Sequence, residues 1–204
     1  MKNETDKLSP VEATKLLVAD RYRVPITASR MAGIEAAQKG LCVELYAGIG
    51  GNTKLYKAAF NKVVTNDINK DAATDFHIDA MEFAKRLGTM VDKIDLVDFD
   101  CYGSPGLVIQ KFFELRGNRD CPLVVAISDG CGMWLKRRND RPGVEKRYLI
   151  DSSFEMKGIW NRHIDMLDNL LFKMAKNYDM QCKRLLAIQC KGKNATVGSW
   201  IFTK

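Results

Sequence analysis

The chain has 204 residues, 46% of them hydrophobic, which suits one α/β core and is a tight fit for two independent domains. Its formal net charge of +7 excludes a histone-like bias and leaves two readings open, a polyanionic partner or a basic surface kept for solubility. Six cysteines and two histidines form no Cys-x-x-Cys pair and no zinc-site spacing, so no metal is expected and a reduced, cytoplasmic setting is the simpler reading.

The polar, acidic start Met1-Lys2-Asn3-Glu4-Thr5-Asp6 does not read as a signal peptide. No apolar run reaches the length of a membrane span. Residues 1–8 read as disordered. Ser9-Pro10-Val11-Glu12 combines an N-cap, a proline at the first helical position and a glutamate three residues after the cap, and opens a helix to about Asp20. A second helix is expected from about Ala28 to Lys39, ending at Gly40. Residues 1–40 thus form a helical extension to a single domain spanning 1–204.

From there strands and helices alternate. Strands are expected at Cys42–Tyr46, Lys62–Thr65, Asp75–Ile78, Ile94–Phe99 and Leu123–Ser128. Helices are expected at Asn52–Phe60, Lys70–Thr74, Ala80–Leu87, Leu107–Leu115 and Ser153–Tyr178. Arg184–Cys190 and Thr196–Phe202 read as a hairpin across Lys191-Gly192-Lys193-Asn194. The alternation implies a doubly wound, mostly parallel sheet covered on both faces. With its antiparallel terminal hairpin the expected seven-stranded, Rossmann-like sheet resembles the layout of class I methyltransferases.

Ligands of open α/β sheets bind at the carboxyl ends of the strands. The first strand runs into Glu44-Leu45-Tyr46-Ala47-Gly48-Ile49-Gly50-Gly51-Asn52-Thr53. A dinucleotide fingerprint requires a third glycine where Thr53 stands and has no use for Glu44. The segment instead resembles methyltransferase motif I, Glu-x-x-x-Gly-x-Gly, which implies S-adenosylmethionine as cofactor and Glu44, Tyr46, Gly48, Gly50 and Asn52 around it. Asp67, followed by Ile68, ends the second strand, where a carboxylate accepts from both ribose hydroxyls. Asp79-Ala80 follows the third, where a carboxylate accepts from the adenine amino group and a backbone amide faces the ring. The competing reading of either aspartate is a helix N-cap.

The fourth strand ends in Asp95-Leu96-Val97-Asp98-Phe99-Asp100-Cys101-Tyr102-Gly103-Ser104-Pro105. This resembles the Asp-x-Ile-Asp-x-Asp-Pro-Phe/Tyr-Gly-Ser-Pro motif of tRNA guanine-N2 dimethyltransferases, with Cys101 where that family has proline. The likeness covers roughly residues 40–130. It implies that Asp100 receives an exocyclic amino group, that Tyr102 lines the base pocket and that Ser104 and Pro105 border the substrate. Asp98 is assigned to the cofactor. Asp95 and Asp98 also admit a structural role, facing the first helix or the cofactor's methionine end.

Beyond the fifth strand, Lys136, Arg137, Arg138, Arg141, Lys146 and Arg147 fall within a dozen positions. With Trp134 or Tyr148 stacking on a base, they read as a nucleic-acid-binding loop; the alternative is a solvated charged loop. Trp160, Ile164, Leu167, Leu170 and Leu171 read as a core helix face, His163 as a surface or capping residue, and His77 as a neighbour of the adenine site or a packing residue. The leading expectation is an N-methyltransferase acting on a nucleobase amine, guanine N2 in RNA first, with DNA adenine N6 or cytosine N4 behind it. A catalytically silent nucleic-acid-binding subunit of the same fold is the reading from another class, supported by Cys101 alone. The sequence leaves the oligomeric state open.

Overall fold

The structure, a computed structural model, describes residues 10–131, 135, 141–151, 158–190 and 194–204. Thirteen segments follow in order: α1 (Pro10–Ala36), β1 (Leu41–Glu44), α2 (Thr53–Ala59), β2 (Lys62–Thr65), α3 (Ala80–Thr89), β3 (Leu96–Cys101), α4 (Gly106–Arg116), β4 (Leu123–Asp129), α5 (Arg141–Tyr148), a 3-10 turn (Ile159–Arg162), α6 (His163–Asn177), β5 (Gln181–Cys190) and β6 (Ala195–Thr203). The strands form one sheet in the order β2-β1-β3-β4-β6-β5. β1 to β4 pair in parallel, and β6 runs antiparallel to both β4 and β5.

The expected seventh strand at Asp75–Ile78 is reduced to a single parallel bridge, Asn66 to Phe76. A side chain has taken its place. The Asp75 carboxylate accepts from the Thr65 backbone N–H at 2.8 Å and from the Thr65 hydroxyl at 2.9 Å. That satisfies the Thr65 end of the outer edge of β2 without a ladder. The piece expected as a helix at Lys70–Thr74 is a turn closed by Ala72 N–H on the Asn69 carbonyl.

The two expected N-terminal helices are one, continuous through Pro25. Proline forfeits one helical hydrogen bond, yet the helix persists because its far end is pinned to the sheet. Ser29, Arg30, Gly33 and Ile34 are buried at helical spacing. A Cβ on Gly33 would stand 3.0 Å from Ser199 Oγ, and that hydroxyl donates to the Ser29 carbonyl at 2.7 Å. Small residues there let α1 lie close against β6.

The other helix corrections are local. α6 begins at His163, after Gly158 at φ +67° and the 3-10 turn, rather than at Ser153. Residues 153–157 of that expected helix lie outside the described residues, as do 1–8 and most of the hairpin turn at 191–193. α5 is a helix where a charged loop was expected.

Two apolar layers cover the sheet. Ile34, Tyr56 and Phe60 pack with Cys42, Leu96, Val124 and Ala126 on one face. The larger layer holds α3, α4 and α6 against the other, with Phe112, Phe113, Leu167, Trp200 and Phe202 fully buried. At the amino end of β3, buried Arg116 pairs with Asp120 and donates to the carbonyls of Met90 and Asp92. Asp120 Oδ1 also accepts from Ile94 N–H at 3.0 Å. None of the six cysteines is in a disulfide. Among the described residues no helix is long and apolar enough to cross a membrane.

Asp120→Ala leaves the Arg116 guanidinium buried without its counter-charge. The expected cost is about 3–5 kcal/mol of unfolding free energy, measured by urea denaturation; a loss below about 1 kcal/mol would place this pair with solvent-screened surface bridges.

Candidate active site

Parallel pairing brings three carboxyls to one end of the sheet. Glu44 at the end of β1 stands in register with Asp98 of β3. Asp100 is two residues further along β3, so both aspartates point to the same face. That face is the one α1 and α2 cover. Arg30, fully buried, donates from Nε to Asp98 Oδ2 at 3.0 Å and from Nη2 to Asp98 Oδ1 at 2.6 Å. Tyr56 donates to Asp98 Oδ2 at 2.6 Å. Asp98 therefore faces the first helix, and both its oxygens are engaged within the protein. Burial pushes its carboxyl up to about 6, while Arg30 and the Tyr56 hydroxyl hold it down, so it is ionised at neutral pH.

Glu44 is 1% exposed, and its Oε2 accepts from the Thr53 hydroxyl at 2.6 Å. Burial, reinforced by Asp98, pushes its carboxyl up to about 8. It is mainly protonated at pH 7. Thr53, the residue that breaks the dinucleotide fingerprint, is thus the hydrogen-bond partner of the acid that leads the motif.

Asp100 is the more open of the aspartates, with 27% of its side chain exposed. Its Oδ2 accepts from Asn52 Nδ2 at 2.8 Å, and its Oδ1 lies 4.0 Å from Arg30 Nη2. Asn52 precedes α2, so the glycine loop is tied directly to the end of β3. Asp95, by contrast, is buried and accepts from the N–H groups of Gly40 and Leu41. It fixes the entry to β1.

Within the loop Gly48 and Gly50 sit at φ +52° and +80°, and nothing lies within 4 Å of a Cβ built on Gly48 or Gly51. The left-handed backbone explains the glycines at 48 and 50, and the empty surroundings leave room above the loop. Asp67 is half-buried; its Oδ2 accepts from Gly48 N–H and its Oδ1 from Asn69 N–H, both at 2.8 Å. Asp79 is exposed and caps α3, its Oδ1 accepting from Met81 N–H at 2.8 Å. Ala80 opens α3 with its side chain in the core. Tyr46 is half-buried; burial first, then Cys101 and Asp79, raise its hydroxyl above the ordinary tyrosine range. Ile49, Ile68 and Tyr102 stand 102%, 70% and 101% exposed at the ends of β1, β2 and β3.

The segment after β3 is rigidly seated. Cys101 continues the strand, in register with Asp129, a place proline would deny the ladder. Burial first, then Asp129, pushes its thiol up to about 12, so it is not a nucleophile at neutral pH. A Cβ on Gly130 would stand 2.3 Å from the Tyr102 carbonyl oxygen, and Gly130 N–H donates to the Gly103 carbonyl at 3.0 Å. The Ser104 hydroxyl accepts from Gly106 N–H at 3.3 Å, and Pro105 is buried at the start of α4. These two side chains shape the turn. α5 abuts the same turn: Gln110 Nε2 donates to the carbonyls of Lys146 and Arg147.

A second polar cluster escaped the sequence. Asp129 is fully buried; its Oδ2 accepts from the Tyr148 hydroxyl at 2.7 Å and lies 3.3 Å from His163 Nε2. His163 Nδ1 is 3.0 Å from Thr196 Oγ1. His163 is therefore no surface residue, and Tyr148 is not available to stack on a base, because both are buried in this cluster. His77 is exposed, with Nδ1 3.1 Å from the Asn69 carbonyl. Trp134, Lys136, Arg137 and Arg138 lie outside the described residues, and Arg141 opens α5. Arg30 was also missed. Its signal was the small pair Ser29 and Gly33 beside it, which lets a helix lie close against a sheet.

No protein-family model matches the chain, and no curated protein matches its sequence. Solved structures do resemble it. The N-methyltransferase NodS from Bradyrhizobium japonicum WM9 has a TM-score of 0.55 at 9% identity, over 91% of this chain and 98% of that one. An rRNA methylase from Streptococcus thermophilus has a TM-score of 0.52 at 10% identity, over 88% and 97%. The plantazolicin methyltransferase BamL, in complex with a triazolic desmethylPZN analog and SAH, has a TM-score of 0.51 at 12% identity, over 90% and 84%. At these identities the likeness is one of fold: the chain has the mixed α/β fold that these methyltransferases share.

Glu44 gives the site a pH signature. Its folded-state value, about 8, lies above the ordinary 4.5, so its contribution to stability is complete below pH 4.5 and is lost as pH rises through 8. Asp98 acts likewise, but only up to about 6. Unfolding free energy is expected to fall between pH 6 and 8, and Glu44→Gln to flatten that segment. An unchanged slope in the Gln variant would show that Glu44 is ionised in the fold.

Proposed function

We propose that the protein transfers a methyl group from S-adenosylmethionine to an exocyclic amine of a nucleobase, with guanine N2 in RNA as the first acceptor class. The observation that carries this reading is Asp100: a part-exposed carboxylate at the end of β3, held by Asn52, two residues before a fully exposed Tyr102.

The residues present fit the cofactor. Gly48 and Gly51 leave open space over the loop, Asp67 follows β2 beside it, and exposed Ile49 and Ile68 offer apolar surface of the kind an adenine ring covers. Gly48 and Gly50 admit the ligand's approach. Asp67 is suited to the ribose hydroxyls, Ile68 to the adenine face, and Asp79 and the Ala80 backbone to the adenine edge. SAH in the BamL complex supports the same assignment. When bound, S-adenosylmethionine supplies an electrophilic methyl group on sulfur.

The chain's own residues do the rest by positioning. Asp100 accepts a hydrogen bond from the acceptor amine and aims the nitrogen lone pair at the cleft. Asn52 ties that carboxylate to the cofactor loop, so donor and acceptor sites share one rigid frame. Tyr102 offers a π-face to an unstacked base. The +7 charge, the basic run from Lys136 to Arg147 and the neighbouring rRNA methylase support a nucleic-acid substrate. RNA leads DNA through the likeness at Asp95 to Pro105.

Incubation with labelled S-adenosylmethionine and separate pools of tRNA, rRNA and duplex DNA tests the reading. Labelling of an RNA pool is expected, falling by roughly 100-fold or more in Asp100→Ala at unchanged melting temperature. Labelling of DNA alone would move the acceptor to adenine N6 or cytosine N4. Equal labelling by Asp100→Ala would overturn the role of Asp100. No labelling of any pool would favour a silent binding subunit or a different substrate class.

A further inference from the structure

We infer that Arg30, on the N-terminal helix and remote in sequence from every motif of the cleft, is the positioning residue that sets the orientation of Asp100. The inference rests on the reading of Asp100 as the acceptor-facing carboxylate.

The guanidinium is held on three sides. Nε and Nη2 fork onto Asp98, Nη1 donates to the Ile127 carbonyl at 3.0 Å, and Nη2 also donates to Ser128 Oγ at 2.9 Å. A planar fork fixed by four bonds at zero exposure cannot reorient. Both N–H groups of Nη2 are engaged, and its charge lies 4.0 Å from Asp100 Oδ1, a Coulombic contact rather than a hydrogen bond. The other oxygen of Asp100 is taken by Asn52 at 2.8 Å. One oxygen of the carboxylate thus faces a fixed cation and the other an amide donor, which restrains its rotation. Ser128 stands in register with Asp100 across the β3–β4 ladder, so the bond from Arg30 to Ser128 anchors the cation beside that residue. Asp98 and Asp100 are like charges two residues apart on one strand face. Among the described residues Arg30 is the cation that answers both.

A purely structural arginine and a positioning one differ in a double-mutant cycle. Arg30→Lys keeps a charge but loses the fork and the reach to Asp100. The turnover number for methyl transfer is expected to fall by about tenfold or more, with KM for nucleic acid within about twofold. In an Asp100→Asn background the same substitution is expected to add nothing further. Should Arg30→Lys fail to fold, the double variant Arg30→Gln with Asp98→Asn removes both buried charges while keeping polar partners, and is read in the same way. Equal factors in both backgrounds would overturn the inference, as would a change confined to KM. Absence of methyl transfer by the unsubstituted protein would overturn the reading of Asp100 and this inference with it.

Discussion

The buried pair of Arg30 and Asp98 is the contact around which the carboxyl end of this sheet is arranged. It joins a helix that precedes the first strand to the middle of the sheet, and the same guanidinium reaches β4 through Ile127 and Ser128. Desolvating two charges is costly, and such a pair adds little net stability over an apolar replacement. Once both charges are buried, however, losing either partner strands the other. That asymmetry keeps α1 seated. It also explains how a helix with Pro25 inside it stays continuous: the segment beyond the proline is locked to the sheet, and the helical register is carried through it.

The same economy of charge governs the rest of the site. Glu44 stands opposite Asp98 across the β1–β3 ladder, where two carboxylates without solvent would repel strongly. One arginine serves Asp98, and Glu44 is relieved by keeping its proton. Asp100, at the mouth, is left as the carboxylate open to solvent. Depth along one strand thus separates the roles of three acids in the sequence Asp95, Asp98 and Asp100: the first caps the entry to β1, the second holds the first helix, and the third faces the cleft.

Much of this was legible in the sequence. The glycine pattern at 48 and 50, the alternation of strands and helices, and the terminal hairpin gave the fold class, because these follow from local backbone demands and hydrophobic period. What was not legible depends on long-range pairing. The seventh strand failed because Asp75 closes the edge of β2 with a side chain, which no periodicity reports. In the sequence His163 reads as a surface or capping residue and Tyr148 as a base-stacking one, because burial of a polar ring is decided by a partner, Asp129, many residues away. Arg30 was hidden for the same reason: an arginine in a helix reads as solvated until a carboxylate is found beneath it. Asp79 satisfies the N-cap geometry that competes with the adenine role, and one exposed carboxylate oxygen can serve a cap while the other faces a ligand.

The proposed function puts the cofactor at the carboxyl edge of β1 to β3. Titration calorimetry with S-adenosylhomocysteine tests it without requiring any acceptor. Saturable binding at one site per chain is expected, weakened by about tenfold or more in Asp67→Ala, as loss of a charge-assisted hydrogen-bond pair entails, and retained in Asp100→Ala. Absence of binding by the unsubstituted protein, or binding indifferent to Asp67→Ala, would contradict it.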